Sequence, residues 1–317
     1  MKLSVIVPVY NLSAYIKDCL RGLVNQQTNF EYEIIVCDDA STDDSLEIIQ
    51  KIALESSRLK VLQNINNVGL AKTQKKLLAE TKGEYIAYLD GDDLALPGKL
   101  QSIVDYFESN PTCSFLHHEV EVFDSDSGIT KSLYCRDYYN AKYIPQKANV
   151  EHLIRFGCFI DASAIAFRRH SHLLEAVDEG CKIILDHPWH ILNAIYGGGT
   201  IDFIPKILGK YRIHSASFGG QTRRSPERRE QVLADQLRAC DNAADLGVDR
   251  NIIEQGKAHY RFATALYFLK LGDFERFKRF IQESVLDNWF FDERHQYALK
   301  NKENPEAVYA YLFETVE

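Results

Sequence analysis

The 317-residue chain has no Cys-x-x-Cys pair, although it contains seven cysteines. Their odd number and irregular spacing predict reduced thiols rather than a disulfide framework. The chain also has no apolar run of membrane-spanning length, and its short apolar start runs directly into a turn, unlike a signal peptide. We therefore expect a cytoplasmic protein that is either soluble or peripheral at the inner face of the membrane.

The chain also has no excess of positively charged residues. Lys and Arg total 37 against 45 Asp and Glu, and the formal net charge of −8 argues against a nucleic-acid partner, which would need a basic surface. Hydrophobic residues make up 45% of the chain, enough for a sizeable core. The length suits one large domain with an appendage, and we place the boundary between residues 1–218 and a helical region at 219–317.

Strand and helix patterns alternate through the first part of the sequence. Apolar, β-branched strands are predicted at residues 3–9, 32–37, 59–63 and 85–89, and segments with helical spacing of apolar residues separate them. Pro97 is predicted to open a further helix. Such alternation predicts an α/β fold with a mixed, mainly parallel sheet flanked by helices.

The pattern changes after Pro111. A helix is expected to begin near Asp186 and to end at glycines 197–199. Residues 215–229 are polar and rich in arginine, which predicts a loop, and the chain beyond them is predicted to be helical, with a hairpin turn at 271–274. Further strands are predicted at residues 114–123, 129–134, 162–167, 201–204 and 208–211.

Acidic residues cluster where two of the predicted strands end. Asp38 and Asp39 follow the second strand, and the run Asp90-Gly91-Asp92-Asp93 follows the fourth. Ligands of open α/β sheets bind beyond the carboxyl ends of the strands, and Mg²⁺ is commonly shared between carboxylates and substrate phosphates. The run therefore suits a divalent cation, Mn²⁺ or Mg²⁺, held against a diphosphate; a solvated acidic loop is the alternative interpretation.

Three motifs, taken in order, resemble those of the family 2 inverting nucleotide-sugar glycosyltransferases, of the bacterial surface-polysaccharide type. They are Ser4-Val5-Ile6-Val7-Pro8-Val9-Tyr10-Asn11, the acidic turn at 38–43, and the strand at 83–93 that ends in the acidic run. The resemblance covers about the first two-thirds of the chain. It implies a Rossmann-like GT-A fold that binds a nucleotide diphosphosugar, by default a UDP-sugar.

The resemblance implies a role for each residue that matches a family motif. Pro8 and Tyr10 would line the pocket for the nucleotide base. Asp39 would contact the base, with Asp38 nearby on the base or the ribose. Residues 67–75 depart from the family pattern, because they lack an Arg that commonly follows the Asn-x-Gly element. Lys72 would then supply positive charge to the nucleotide, or it is simply a solvated lysine.

At the acidic run, the resemblance implies contacts with the ribose, the diphosphate and the cation. Asp90 would touch the ribose or the metal, and Gly91 would lie within the donor site. Asp92 would ligate the cation. Asp93 is the residue of the run that we would give up first, since it is as well explained as a cap of the following loop.

Inverting transfer needs a general base that deprotonates the acceptor hydroxyl. The segment Leu185-Asp186-His187-Pro188-Trp189 resembles the acidic motif at a helix start in this family, which implies that Asp186 is the base. A helix N-cap is the alternative role for Asp186. His187 and His190 are alternative bases, although we expect them to be ordinary surface histidines.

The segment 211–217 resembles the late Tyr-Arg-x-His element of the family. The resemblance implies that His214 approaches the diphosphate or the metal, where it would stabilise charge on the leaving group. Arg212 would also face the donor, although an Arg beside a strand is often only a salt-bridge partner. The residues after this element would close over the donor as a lid.

Two absences narrow the activity that the resemblance implies. The chain has neither the Gln-x-x-Arg-Trp run of processive synthases nor the Gly-rich N-terminal phosphate loop of sugar nucleotidyltransferases. We therefore expect non-processive transfer of one hexosyl or hexosaminyl group to a glycan or lipid-linked glycan acceptor. A non-catalytic nucleotide-sugar-binding protein on the same fold and a sugar nucleotidyltransferase are the alternatives.

The helical C-terminal region is less specific. Its aromatic residues between 260 and 280 predict a core between helices. Residues 289–291, Trp-Phe-Phe, suit a membrane interface, burial against a helix, or a contact between copies of the chain in a homo-oligomer. A basic cluster suits either a solvated helix start or a phosphate-bearing acceptor. It comprises Arg223, Arg224, Arg228 and Arg229.

Overall fold

The computed structural model describes residues 1–214 and 225–314. Its N-terminal part alternates strands and helices, as the sequence predicts. Because β1 lies inside a parallel sheet, all seven of its residues are buried. The order is β1 (Leu3–Val9), α1 (Ile16–Val24), β2 (Tyr32–Asp38), α2 (Ser45–Glu55), β3 (Leu59–Gln63), α3 (Leu70–Ala79) and β4 (Tyr85–Tyr88).

The middle of the chain contains six strands and three α-helices, with short 3₁₀ helices at Ala141–Tyr143 and Ala162–Ala164. The helix predicted to open at Pro97 begins two residues later, after Gly98, which adopts a positive φ of 83°. The elements are β5 (Leu94–Ala95), α4 (Lys99–Ser109), β6 (Cys113–Asp124), β7 (Thr130–Leu133), β8 (Lys147–Ala148), α5 (Val150–Phe156), β9 (Ile165–Arg168), α6 (Asp186–Gly197) and β10 (Thr200–Ile213).

Two strand predictions in this part are wrong in detail. The strand predicted at 162–167 begins as a 3₁₀ turn and extends only from Ile165 to Arg168. The two strands predicted at 201–204 and 208–211 form one long strand, whose register to β6 shifts between Ile204 and Gly209. Pro205 lies within that shift and has no N–H to donate, so the irregularity lets the strand continue past it.

The ten strands of the described residues form one mixed sheet in the order β3-β2-β1-β4-β9-β6-β10-β5. Outside this order, β7 pairs with β6, and β8 pairs with β10. Strands β3, β2, β1 and β4 are parallel, as are β6 and β10, whereas β9 is antiparallel to both of its neighbours. The predicted α/β architecture is therefore confirmed.

The C-terminal part is helical, as predicted. The helix α7 begins at Pro226, so the predicted loop at 215–229 is wrong at its end, and its residues 215–224 lie outside the described structure. Ser225 caps α7 by accepting a hydrogen bond from the N–H of Arg228. The helices are α7 (Pro226–Asp245), α8 (Arg250–Lys270), α9 (Phe274–Glu283), α10 (Glu293–Lys300) and α11 (Pro305–Phe313).

Two apolar clusters cover the two faces of the sheet. One lies between the sheet and helices α1, α2 and α4. The other continues from the sheet through α3 and α6 into the C-terminal helices, which confirms the predicted aromatic core of that region. The predicted boundary at residue 218 lies outside the described residues and stays a prediction. Buried members from the C-terminal helices include Tyr260, Phe262, Phe268, Leu269, Phe277 and Phe280.

The Trp-Phe-Phe segment at 289–291 is divided between burial and exposure. The ring of Phe291 stacks on His259 with centroids 4.1 Å apart, and Trp289 packs edge-on against His295. Phe290 is 43% exposed. The ring of Phe290 also packs edge-on against His295, so all three rings make contacts within the protein.

The cysteines agree with the expectation of reduced thiols. All seven cysteines are unpaired, and five of them are buried. Among residues 1–214 and 225–314, no helix is both long enough and apolar enough to cross a membrane.

Candidate active site

The carboxyl ends of three parallel strands bring the two acidic segments to one edge of the sheet. In the pairing of β1 with β2, Val9 lies beside Asp38, and the N–H of Asp39 donates to the carbonyl of Val9 at 2.8 Å. On the other side of β1, the N–H of Leu89 donates to the carbonyl of Ile6 at 3.1 Å. Asp90 follows directly, so the predicted meeting of the two segments is confirmed.

Asp39 holds the turn that precedes α3. Its Oδ1 accepts hydrogen bonds from Asn64 Nδ2 at 2.8 Å and from the N–H of Val68 at 3.0 Å. Its Oδ2 accepts from the N–H of Gly69 at 3.0 Å. Hydrogen bonds to a carboxylate are stronger than neutral ones, so Asp39 organises this turn, a role that the sequence did not reveal. Its predicted contact with the base stays a prediction.

Asp38, Pro8 and Tyr10 lie along the same rim. Asp38 is fully buried, and one carboxylate oxygen accepts the N–H of Ser41 at 3.0 Å. Its Oδ1 has no hydrogen-bond partner in the described part of the chain, which is uncommon for a buried polar atom. Pro8 is buried within β1, and Tyr10, the next residue but one, is 46% exposed. This arrangement leaves an aromatic ring accessible beside a buried acceptor.

The carboxylates of Asp90 and Asp92 are close enough for their negative charges to repel each other. Burial raises the pKa of Asp90 to about 8, and the negative charge of Asp92 adds to the effect. The hydroxyl of Tyr88 opposes it by donating a hydrogen bond of 2.5 Å to Asp90 Oδ1. Two oxygen ligands that repel each other at the edge of a sheet are a donor set that a divalent cation would stabilise.

His214 lies against Asp92, as the sequence predicts for two residues of one site. Its Nε2 is 3.0 Å from Asp92 Oδ2, and its ring packs on that of Tyr15 with centroids 4.6 Å apart. The side chain of His214 is 6% exposed, whereas that of Asp92 is 22% exposed. Asp92 is therefore accessible to a ligand, and His214 is held behind it by packing.

The side chain of Asp93 points into the protein, away from the partly exposed carboxylate of Asp92. It is 1% exposed, its Oδ1 accepts the N–H of Arg212 at 2.8 Å, and its Oδ2 accepts the hydroxyl of Ser163 at 2.5 Å. The alternative role of Asp93 as a cap of the following loop is wrong, because the partners of both carboxylate oxygens come from distant segments. The sequence ranking that favours Asp92 over Asp93 agrees with their exposure.

Arg212 ties the acidic run to strand β10. Its Nε donates to the carbonyl of Asp92 at 2.8 Å. The guanidinium lies 4.9 Å from the ring centroid of Tyr15 and 4.8 Å from that of Phe123. A stacked guanidinium with a backbone bond is fixed in place, so Arg212 organises the loop. Its predicted contact with the donor stays a prediction.

Asp186 is the first residue of α6, and the start of this helix lies near the acidic run. The ring of Tyr88, whose hydroxyl bonds Asp90, packs on Trp189 of α6 with centroids 5.3 Å apart, and the charge of Asp186 adds to the raised pKa of Asp90 and of Asp161. Burial raises the pKa of Asp186 itself. Its Oδ2 lies 3.9 Å from Cys158 Sγ, and the cap position of α6 is occupied by Leu185. The alternative role of Asp186 as the helix N-cap is therefore wrong.

The histidines beside Asp186 are not surface residues, contrary to the expectation. His187 and His190 are both 0% exposed. Burial lowers the pKa of His187 to about 3, and His187 Nε2 bonds the hydroxyl of Tyr260 at 2.7 Å. His190 packs edge-on against Phe115. Both histidine rings point from α6 into the core, so neither is placed to act as a base beside the acidic run.

A buried charged cluster lies directly behind the acidic run, and no motif in the sequence predicts it. Lys99 is 1% exposed, and its Nζ donates to the carbonyl of Ser163 at 2.6 Å. Burial lowers the pKa of Lys99 to about 8, and the charges of Asp161 and Asp93 oppose this. Burial also raises the pKa of Asp161 to about 7. No local pattern marks these residues, because their proximity arises only when α4 and β9 pack on β4.

Three predicted features remain, which are Lys72, Gly91 and the basic cluster. Lys72 is exposed in the first turn of α3. Gly91 is buried so closely that a Cβ would lie 2.9 Å from Leu12 Cδ1 and 3.1 Å from the carbonyl oxygen of Pro8. Of the predicted basic cluster, Arg223 and Arg224 lie outside the described residues. Arg229 lies in α7 with its guanidinium 5.6 Å from the ring centroid of Tyr267.

The residues present fit a cation that is shared with a substrate. Asp92 offers an accessible carboxylate, and His214 and Asp90 lie beside it. Within residues 1–214 and 225–314, no three or more His, Cys, Asp or Glu side chains are grouped so that they could hold a metal ion by themselves. Mg²⁺ is commonly held by one or two carboxylates together with substrate phosphates, so this incomplete donor set suits it.

Fold and site together define an α/β protein in which Asp38, Asp39 and the acidic run lie at the carboxyl ends of parallel strands. Residues 4–172 match the family described as glycosyl transferase family 2, and the chain belongs to that family. The resemblance recognised in the motifs is thereby confirmed.

Curated relatives agree with this assignment. The putative glycosyltransferase EpsE of Bacillus subtilis is 36% identical over 124 residues, which cover 39% of this chain and 44% of that protein. An uncharacterized glycosyltransferase of Nostoc sp. is 29% identical over 231 residues, covering 68% of this chain and 66% of that protein. An uncharacterized protein of Mycobacterium tuberculosis is 28% identical over 221 residues, and the alignment spans 59% of its length.

Solved structures share the fold over nearly the whole chain. TarS of S. aureus, residues 1–349 in complex with UDP-GlcNAc, superposes with a TM-score of 0.64 at 19% identity, covering 98% of this chain and 88% of that one. The mannosyltransferase PcManGT of Pyrobaculum calidifontis, in complex with GDP-Man and Mn²⁺, gives 0.59 at 14% identity, covering 99% and 88%. The predicted GT-A fold is confirmed.

Proposed function

We propose that this protein transfers one sugar, with inversion, from a nucleotide diphosphosugar to a hydroxyl group of a glycan or lipid-linked glycan. The observation that carries the proposal is the approach of the start of α6 to the acidic run. The ring of Tyr88, whose hydroxyl bonds Asp90, packs on Trp189, three residues after Asp186, with centroids 5.3 Å apart. An acidic donor site and a carboxylate base on separate elements are what inverting transfer requires.

The nucleotide would bind along the rim at the ends of β1 and β2. The accessible ring of Tyr10 would stack on the base, and the unpartnered Oδ1 of Asp38 would accept a hydrogen bond from the base or the ribose. Lys72, exposed at the start of α3, would face the nucleotide's negative charge. The solved relatives in complex with UDP-GlcNAc and with GDP-Man support a nucleotide-sugar donor.

Asp92, Asp90 and His214 would hold a divalent cation. When bound, the cation would neutralise charge that develops on the leaving diphosphate. Among the residues of the chain, Asp92 is the ligand that we favour, because its carboxylate is partly exposed and that of Asp93 is buried. The solved complex of PcManGT with GDP-Man and Mn²⁺ supports this choice of cofactor.

Asp186 would act as the general base. Burial raises its pKa, which makes its carboxylate a stronger proton acceptor than an exposed one. Backbone N–H groups of Asp186 and His187, at the start of α6, oppose this shift and orient the carboxylate. The acceptor hydroxyl would approach Asp186 from the side opposite the diphosphate and lose its proton as it attacks the anomeric carbon.

A panel of nucleotide sugars, measured by thermal shift and by hydrolysis, tests the donor site. A ligand that binds the folded state raises the melting temperature, so the true donor should do so with Mn²⁺ or Mg²⁺ and not with chelator. The variant Asp186→Asn should retain this shift and lose transfer. Transfer at the normal rate by Asp186→Asn would show that Asp186 is not the base.

Asp202→Asn is a matched control for that substitution. Asp202 is also buried, but it lies at the other end of β10 and accepts a hydrogen bond from Tyr106, away from the acidic run. Its variant should transfer sugar normally. Donor binding by the wild type without turnover of any sugar would favour the alternative of a non-catalytic binder, and pyrophosphate release from a nucleoside triphosphate would favour a nucleotidyltransferase.

A further inference from the structure

The hydroxyl of Ser163 joins the two ends of the acidic run. Ser163 Oγ accepts the N–H of Asp90 at 3.0 Å and donates to Asp93 Oδ2. The N–H of Asp93 donates to the carbonyl of Asp90 at 3.0 Å, which closes the turn between them. Ser163 is 3% exposed, so these bonds are shielded from competing water. The hydroxyl of Ser163 therefore fixes the distance between Asp90 and Asp93. These residues flank Asp92 in the turn and leave it partly exposed to solvent.

The same turn is tied to β10 by a second set of contacts. Asp93 Oδ1 accepts the N–H of Arg212, and Arg212 Nε donates to the carbonyl of Asp92, both at 2.8 Å. Two residues further along, His214 reaches Asp92 Oδ2. A displacement of Asp93 would therefore move the backbone that places Arg212 and His214 around Asp92.

Ser163 is itself held by charged groups that have no other evident use. Lys99 Nζ donates to its carbonyl at 2.6 Å, and its own N–H donates to Asp161 Oδ1 at 3.0 Å. Burial of an ammonium group is costly unless it is partnered, so the presence of Lys99 at this buried place needs a structural reason. Fixing the backbone of Ser163 relative to α4 supplies one.

We propose that Ser163, anchored by Lys99, is a positioning residue that sets the separation of the Asp90 and Asp92 carboxylates for cation-dependent nucleotide binding. The inference rests on the proposed function, since it assigns a determinant of affinity to the same donor site. Ser163 acts through the acidic run and touches neither the nucleotide nor the reacting atoms.

The test is the concentration of Mn²⁺ needed to stabilise the protein in the presence of UDP or, separately, GDP, measured by thermal shift. Groups that orient metal ligands typically change metal affinity by 10–100-fold when they are removed. We expect Ser163→Ala to raise the Mn²⁺ midpoint about tenfold, because it leaves Asp93 without one donor and Asp90 without its acceptor. Ser163→Thr retains the hydroxyl and should restore most of the affinity.

Ser284→Ala is the matched control. Ser284 is also fully buried, and its hydroxyl contacts the carbonyl of Ile281 at 2.6 Å and His295 Nε2 at 2.8 Å, within the C-terminal helices. Its variant should lower the melting temperature as Ser163→Ala does, while leaving the Mn²⁺ midpoint at the wild-type value. This comparison separates positioning of the site from a general loss of stability.

Lys99→Met serves as a second variant if Ser163→Ala does not fold. It retains a long apolar side chain, removes the bond to the Ser163 carbonyl, and should raise the midpoint in the same direction. A wild-type midpoint in a folded Ser163→Ala protein, or in Lys99→Met where only that one folds, would overturn this inference alone. A wild type that shows no stabilisation by Mn²⁺ with either nucleotide would overturn the proposed function and this inference together.

Discussion

His214 Nε2 lies 3.0 Å from Oδ2 of Asp92, across 122 positions of sequence. The contact joins the loop after β4 to the end of β10, and the ring of Tyr15 packs against His214 from the side of α1. Three separate elements therefore meet at the carboxylate that we assign to the cation.

Replacement of His214 by Ala should weaken cation-dependent nucleotide binding by about tenfold or more. The imidazole both contacts the Asp92 carboxylate and restricts where that carboxylate can lie. Titration of Mn²⁺ in the presence of UDP, followed by thermal shift, measures the effect. His172→Ala removes an exposed histidine that stacks on Tyr196, and it should leave the titration unchanged.

Asp92→Ala and Asp93→Ala should differ in their main effect, on cation binding and on stability respectively. Asp92 is accessible, so its loss should reduce Mn²⁺-dependent binding by about 100-fold with little change in melting temperature. Asp93 is buried and accepts two hydrogen bonds, so its loss leaves two buried donors unsatisfied and should cost about 1–3 kcal/mol of unfolding free energy. Chemical denaturation and Mn²⁺ titration of both variants separate these effects. Equal destabilisation by the two variants would contradict the assignment.

The stability gained from Mn²⁺ should depend on pH. The pKa of Asp90 is raised from 3.8 to about 8, chiefly by burial and then by Asp92. Between these values the folded state binds more protons than the unfolded state, so the free energy of unfolding falls as pH rises through this window. Mn²⁺ competes with those protons, so the increase in melting temperature that it causes should grow from about pH 6 to about pH 8.

A control variant tests the cause of that pH dependence. Asp92→Asn removes a charge that helps to raise the pKa of Asp90, so the fall in stability between these pH values should become shallower. Melting temperatures without added metal, taken across the pH range for both proteins, give the comparison. Identical slopes would mean that the charge of Asp92 does not act on Asp90.

Gly91→Ala should destabilise the fold and weaken nucleotide binding. A Cβ at this position would lie 2.9 Å from Leu12 Cδ1 and 3.1 Å from the carbonyl oxygen of Pro8, so the loop or β1 must move. Overpacking of this kind typically costs about 1–3 kcal/mol. Gly197→Ala is the control, because its Cβ would meet nothing closer than 3.5 Å. Denaturant unfolding and UDP titration of the two variants measure the difference.

Much of the fold was predictable because it follows from local pattern. The strands at 3–9 and 59–63 begin and end where the sequence predicts, since each is a short apolar segment between polar turns. Irregular elements were predicted less well. The strand β10 continues past Pro205 only because β6 pairs along its length, and the turn at Ala162–Ala164 depends on its packing beneath the acidic run.

The sequence by itself determined that Asp38, Asp39 and the acidic run lie at one edge of a parallel sheet, because strand ends in such a sheet face the same way. Only the tertiary structure decided which residues of the site are accessible. Asp93 is turned inward by Arg212, 119 positions away, and by Ser163, 70 positions away. His187 is buried because α6 packs against α8 through Tyr260. Contacts between distant segments leave no periodic signal in the sequence, and the direction of a side chain depends on them.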